Sequence, residues 1–147
     1  MKKIILALSM LAVVGISSSF ANEDLKISKK ILSAFQSDFN SAVNPRWSLE
    51  QEFYKVSFTN MDMEVEAYYD EEGLLVGSVR RLAFEQLPLA IIHEFNRRFE
   101  NAPVKNVVEI TNAEGTSYRI WTAKGNKNYK LRATASGELV VIQKTKK

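Results

Sequence analysis

Carboxylates are the only plentiful catalytic residue type in the first part of this 147-residue chain, where Asp62, Glu64, Glu66, Asp70, Glu71 and Glu72 cluster. On a strand, Glu64 and Glu66 point to one sheet face about 7 Å apart, because alternate residues are separated by two rises of ~3.3 Å. Such a pair could divide general acid and base work in glycoside hydrolysis, or hold a hard cation. The surroundings complete neither chemistry. A calcium loop opened by Asp70 needs an oxygen ligand at its fifth position, which is Leu74, so 70–73 is expected to be a turn. His93 is the sole histidine and cysteine is absent. That excludes thiolate chemistry, disulfides, and any metal site or triad drawing two or more groups from His and Cys. No glycine-rich phosphate loop or dinucleotide fingerprint occurs. The chain is expected to be no enzyme and to carry no cofactor and no metal.

A second set suits recognition. Phe53, Tyr68, Arg119, Trp121, Lys130 and Arg132 fall on the strand positions that alternate with the apolar ones. Aromatic and Arg side chains are enriched at interface cores, so these are the candidate partner-binding residues, for a protein or peptide. The same mixture can stack bases and hold phosphates, but export to a compartment poor in nucleic acid argues against that partner. Charge is divided along the chain. Residues 22–87 hold 7 Lys+Arg against 12 Asp+Glu, giving −5, and 88–147 hold 11 against 5, giving +6. Opposite halves could steer a charged partner or support self-association head to tail.

The elements that position these residues begin after an address. Met1-Lys2-Lys3 is basic, 4–16 is apolar apart from Ser9 and Gly15, and Ser19 and Ala21 occupy the −3 and −1 places of a cleavage site. This predicts a secretory signal, 1–21, cleaved after Ala21. The apolar run is shorter than the ~20 residues a membrane span needs, so no membrane association is expected after cleavage.

From Ile27 onward, Ile27, Ile31, Phe35 and Phe39 recur at the spacing of one helical stripe, predicting a helix of about 13 residues that stops before Asn44-Pro45. Leu89, Ile92, Phe95 and Phe99 predict a second helix after Pro88, which suits a first turn. The two helices head matching units. Phe35 and Phe39 correspond to Phe95 and Phe99 at an offset of 60, and Tyr54-Lys55-Val56 to Tyr118-Arg119-Ile120 at 64. Within each unit the period then falls to 2, with Asp70-Glu71-Glu72-Gly73 and Ser136-Gly137 among the turns, the pattern of half-buried antiparallel strands. The expected fold is α+β: two tandem helix-plus-antiparallel-meander repeats, 22–87 and 88–147, forming one domain. They would share one antiparallel sheet with both helices on one face. The predicted core includes Ile31, Phe35, Trp47, Val56, Tyr69, Leu75, Ile92, Phe95, Ile120 and Leu131.

The motif Ala34-Phe35 followed by Phe39 and Trp47, then Phe53-Tyr54-Lys55-Val56-Ser57-Phe58, Ala67-Tyr68-Tyr69-Asp70 with Gly73, and Leu87-Pro88 resembles the PepSY-like proteins. These are small exported bacterial proteins of beta-lactamase-inhibitor-like fold. The resemblance spans most of 27–143. The second unit, Thr134-Ala135-Ser136-Gly137, lacks the Asp of the family's Asp-x-x-Gly turn. The resemblance implies a periplasmic or secreted protein that binds proteins or peptides through an open sheet face or edge, in the manner of an inhibitor, without enzymatic activity. The competing expectation is a periplasmic small-ligand or cation sensor using the acidic first repeat.

Overall fold

A computed structural model describes residues 25–147; the predicted signal, 1–21, lies outside the described residues. Helix α1 (Lys29–Asp38) is followed by strands β1 (Ala42–Glu50), β2 (Phe53–Asn60), β3 (Met63–Tyr69) and β4 (Leu75–Arg81). A short 3-10 turn (Phe84–Gln86) leads to helix α2 (Leu89–Arg98), then β5 (Val104–Asn112), β6 (Gly115–Lys124), β7 (Lys127–Thr134) and β8 (Leu139–Lys146). The strands form one antiparallel sheet in chain order from β1 to β8, so the fold class is α+β.

Helix α1 is shorter than its periodicity predicts. The Ser28 side chain accepts the Ile31 N–H at 3.3 Å, fixing the first turn two residues after Ile27. Ile31 and Phe35 then pack on Val56, Phe58, Val65, Ala67 and Tyr69, with Phe39 and Trp47 at the margin. Helix α2 buries Ile91, Phe95 and Phe99 against Val107, Tyr118, Ile120, Leu131, Ala133 and Leu139. The predicted stripe through Leu89 and Ile92 is corrected here. Ile91 is fully buried, Ile92 only partly, and Leu89 is 83% exposed. Ile91, Phe95 and Phe99 keep a strict four-residue step, from which Leu89 at the first helical position lies rotated away.

One row of paired residues shows that both helices cover the same face. It runs Phe58, Val65, Arg80, Glu109, Tyr118, Ala133, Leu139 from one cluster to the other. Arg80 and Glu109 sit between the clusters, with Arg80 Nη2 donating to Glu109 Oε1 at 2.7 Å and Nε to the same oxygen at 3.0 Å. Burial pushes the Tyr118 hydroxyl up in pKa, and the neighbouring Glu109 carboxylate adds to it.

Two further expectations change. Leu75, predicted as core, is 36% exposed because the β3–β4 register shifts beside it. Asn44-Pro45, expected between elements, lies inside β1, where Asn44 has φ 55° and the pairing slips between Val43 and Arg46. An edge strand tolerates this bulge because Pro45 need donate to no neighbour. At the far edge, β8 exposes Val140, Val141 and Ile142 ahead of Lys144 and Lys146.

The turn at Gly137 is specified twice over. Its φ is +93°, and a Cβ there would lie 2.9 Å from the Ala90 Cβ on α2. Gly73, φ +75°, lies over Lys30 of α1 with more room, 3.4 Å. No described helix is long and apolar enough to cross a membrane.

Candidate functional site

The face of the sheet away from the helices carries all six residues singled out for recognition. Register places Lys55, Tyr68, Gly77 and Asn112 in one row, and Arg81, Val108, Arg119, Arg132 and Val140 in another. Asn106, Trp121, Lys130 and Gln143 form a third. The six fall into two groups. Phe53 and Tyr68 lie on β2 and β3, Arg119, Trp121, Lys130 and Arg132 on β6 and β7, and β4 and β5 run between them.

In the first group Tyr68 is not displayed as expected, being only 6% exposed. It stands opposite Gly77, which has no side chain to crowd the ring, and its hydroxyl donates to Glu66 Oε2 at 3.2 Å. Burial drives the phenol pKa strongly upward, with the Glu66 and Glu50 carboxylates adding to it. Tyr68 is therefore floor rather than contact surface. Val108, Ile110 and Ala123 are buried on this face too, giving it an apolar bed that the alternation alone does not reveal. The near-continuous apolar run Val107-Val108 and Ile110 is the sequence signal for a strand buried on both sides.

Most of the acidic cluster of the first half is engaged within the fold. Lys55 Nζ lies 3.0 Å from Glu50 Oε2 and 3.7 Å from Glu66 Oε1, while Arg81 Nε lies 3.3 Å from Glu64 Oε2. Glu64 and Glu66 thus each lie beside a cation of the same sheet face. Asp70 Oδ1 accepts the Leu74 N–H at 2.8 Å, and Glu72 pairs with Lys30 of α1, so the acidic turn is bound into the fold. Among the described residues, no cluster of three or more His, Cys, Asp or Glu side chains is placed to hold a metal ion. His93 is exposed on α2 beside Glu94, whose pKa is held down by its hydrogen bond from Arg97.

The second group is organised differently. Lys130 Nζ stands 5.2 Å from the centroid of the half-buried Trp121 ring, a cation–π distance. Arg119 and Arg132 face each other directly across β6 and β7. Arg119 Nη1 donates to Tyr118 O at 3.2 Å and Ser117 Oγ at 3.4 Å, and its pKa is pulled down by burial first and by Arg132 second. At the margin Lys105 Nζ donates to Asn128 Oδ1 at 2.7 Å. Among the described residues, no carboxylate comes within salt-bridge distance of Arg119, Lys130 or Arg132. The charge contrast of the sequence therefore takes a particular form here. Arg46, Lys55 and Arg81 balance Glu50, Glu64 and Glu66 on one half of the face, whereas the β6–β7 half carries cations alone.

An open groove of about 690 Å³ lies elsewhere, between the 3-10 turn, α2 and β5, floored by Phe84, Phe95 and Phe99 and rimmed by Asn96, Asn101 and Asn106. Its lining holds neither a nucleophile–base pair nor a pair of carboxylates.

No protein-family model matches the chain, and no curated protein does. Solved structures do. A BLIP-like protein from Bacteroides fragilis superposes with a TM-score of 0.72 at 21% identity, covering 83% of this chain and 87% of that one. A protein of Bacteroides eggerthii inferred to be periplasmic gives 0.71 at 17% identity over 82% and 89%. A DUF2874 family protein from Bacteroides uniformis gives 0.71 at 15% identity over 82% and 90%. Likeness at this level establishes a shared beta-lactamase-inhibitor-like fold.

Proposed function

We propose that this protein is an exported, non-enzymatic binding module that engages a protein or peptide through the helix-free face of its sheet. The observation that carries the reading is the β6–β7 surface, where half-buried Trp121 lies under Lys130 and beside Arg119 and Arg132. A rigid aromatic surrounded by Arg on a preformed sheet is the composition of an interface core. Phe53 extends the contact at the other end, with Tyr68 as its floor. The fold shared with a BLIP-like protein supports an inhibitor-like mode, in which the sheet presents a preorganised surface to another protein.

The remaining parts of the reading go with it. The signal at 1–21 directs export to the periplasm or beyond the cell, in keeping with the inferred location of the Bacteroides eggerthii protein. The chain is a member of the PepSY-like group, built from two repeats, 22–87 and 88–147, in one domain. The like spacing of Ile31, Phe35 and Phe39 and of Ile91, Phe95 and Phe99 supports that duplication.

Affinity capture from periplasmic extract tests the face. Trp121→Ala should lose the captured partner while retaining the melting temperature of the unaltered protein within a few degrees. Identical recovery of the partner by Trp121→Ala and Phe53→Ala variants would sink the proposed surface.

A further inference from the structure

Resting on that reading, we infer that the partner meets this face with an acidic, extended peptide segment whose carboxylates dock on Arg119 and Arg132. Two like charges directly opposite on neighbouring strands destabilise a sheet unless something offsets them. Among the described residues no carboxylate does. Arg119 Nη1 donates to the Tyr118 carbonyl and the Ser117 hydroxyl, which anchors one end of its guanidinium before a ligand arrives. A planar fork of donors in a partly desolvated place is matched to a carboxylate, and strengthens as water is displaced.

The spacing favours a strand-like ligand. Arg119 to Trp121 along β6, and Arg132 to Lys130 along β7, are same-face steps of about 7 Å, the separation of alternate side chains on an extended peptide. Carboxylates could thus meet the Arg pair while an apolar side chain rests on Trp121. Val140, 37% exposed beside Arg132, widens the apolar margin, and Lys105 continues the positive strip toward β5.

A second copy of the chain is the weaker occupant. On its own helix-free face Glu50 and Glu66 are bound to Lys55, and Glu64 to Arg81, so docking would first have to break those pairs.

The test is calorimetric titration of the purified protein with end-capped hexaglutamate, and with hexaglutamine as the uncharged control. Hexaglutamate should bind saturably and hexaglutamine should not. Affinity should fall as ionic strength rises to ~0.15 M, where the Debye length is about 8 Å. R119Q/R132Q should weaken binding at least tenfold, and Arg132→Gln alone, at an exposed position that leaves the fold intact, severalfold. Arg46→Gln, on the balanced half, should leave affinity unchanged. Absence of hexaglutamate binding, or equal affinity for R119Q/R132Q, overturns the inference. So does an Arg119-dependent dimer in sedimentation, which would make the occupant a second copy. Binding to phosphatidylglycerol vesicles in place of the peptide overturns it in favour of a lipid surface. If the peptide fails while Trp121-dependent capture persists, the acidic ligand falls and the binding face stands; if capture also ignores Trp121, the face itself falls.

Discussion

The two ends of the helix-free face use the same strand alternation and treat charge in opposite ways. Around β2 and β3, Lys55 sits between Glu50 and Glu66, and Arg81 meets Glu64; around β6 and β7, Arg119 looks at Arg132. Alternation decides which face a side chain occupies, whereas the residue opposite decides whether its charge serves the sheet or stays available. Beneath them the cores are alike in plan and different in filling. Phe35 meets Trp47 and Phe58 edge-on, at centroid distances of 5.4 and 5.0 Å. Phe95 and Phe99 instead lie nearly parallel at 5.4 Å, with Phe84 edge-on to Phe95. In the sheet the two halves are joined through the β4–β5 pairing, which holds the Arg80–Glu109 ion pair.

The largest effect should come from the cores. Phe95→Ala, at a site 2% exposed, is expected to cost about 3–5 kcal/mol, with Phe35→Ala toward the lower end of that range. Urea unfolding followed separately through Trp47 in the first half and Trp121 in the second should give coincident transitions. Two separated midpoints would show that the halves do not unfold as one unit.

Next in size are the paired turns. Gly137→Ala should cost about 1–3 kcal/mol, since the positive φ and the approach of Ala90 act together, and Gly73→Ala less. Denaturant midpoints in the reverse order would mean that α2 yields more readily than α1.

Smaller still are the charges. Lys55→Gln should destabilise by about 0.2–1 kcal/mol through loss of its carboxylate pairs, while Arg119→Gln should stabilise by a similar amount through relief of Arg132. Shifts of the same sign in thermal melts would contradict the contrast drawn between the two ends.

Alkaline pH gives a graded comparison. Burial raises the phenol pKa of Tyr68, Tyr69 and Tyr118, with Asp38 hydrogen-bonded to Tyr69 adding to its shift. The unfolded chain ionises near pH ~10 while the folded one holds its protons. Stability is therefore full below that pH and is lost as pH rises from there toward the folded-state values. Tyr68→Phe should flatten this fall, as read from denaturation midpoints across the alkaline range. An unchanged slope would show that Tyr68 does not govern it.

Strands β2, β3, β6 and β7 and most turns were legible in the sequence because burial under the helices writes a period of two into those strands, whereas β5, buried on both sides, and the edge strands β1 and β8 carry no such alternation. Gly73, Gly125 and Gly137 fall at turns with positive φ. What escaped was a choice of helix face set by residues four and eight along, and pairings with strands distant in the chain. Ile91 and Ile92 are adjacent and equally apolar, and only the line through Phe95 and Phe99 chooses between them. Tyr68 and Trp121 lie on the same face of the sheet, yet Gly77 opposite one makes a floor and Lys130 opposite the other leaves a ring half-open. The candidate residues were placed on the correct face; that the four on β6 and β7 stand together, with two arginines face to face, emerges from the register.

The edges of the sheet carry a consequence for assembly, because both are bulged. Strand β1 slips at Asn44-Pro45, and β8 slips at Ile142, where the pairing jumps from Leu131–Val141 to Lys130–Gln143. A bulge twists an edge strand away from a regular ladder, so although Val140, Val141 and Ile142 are exposed on β8, neither edge presents a straight template for another strand.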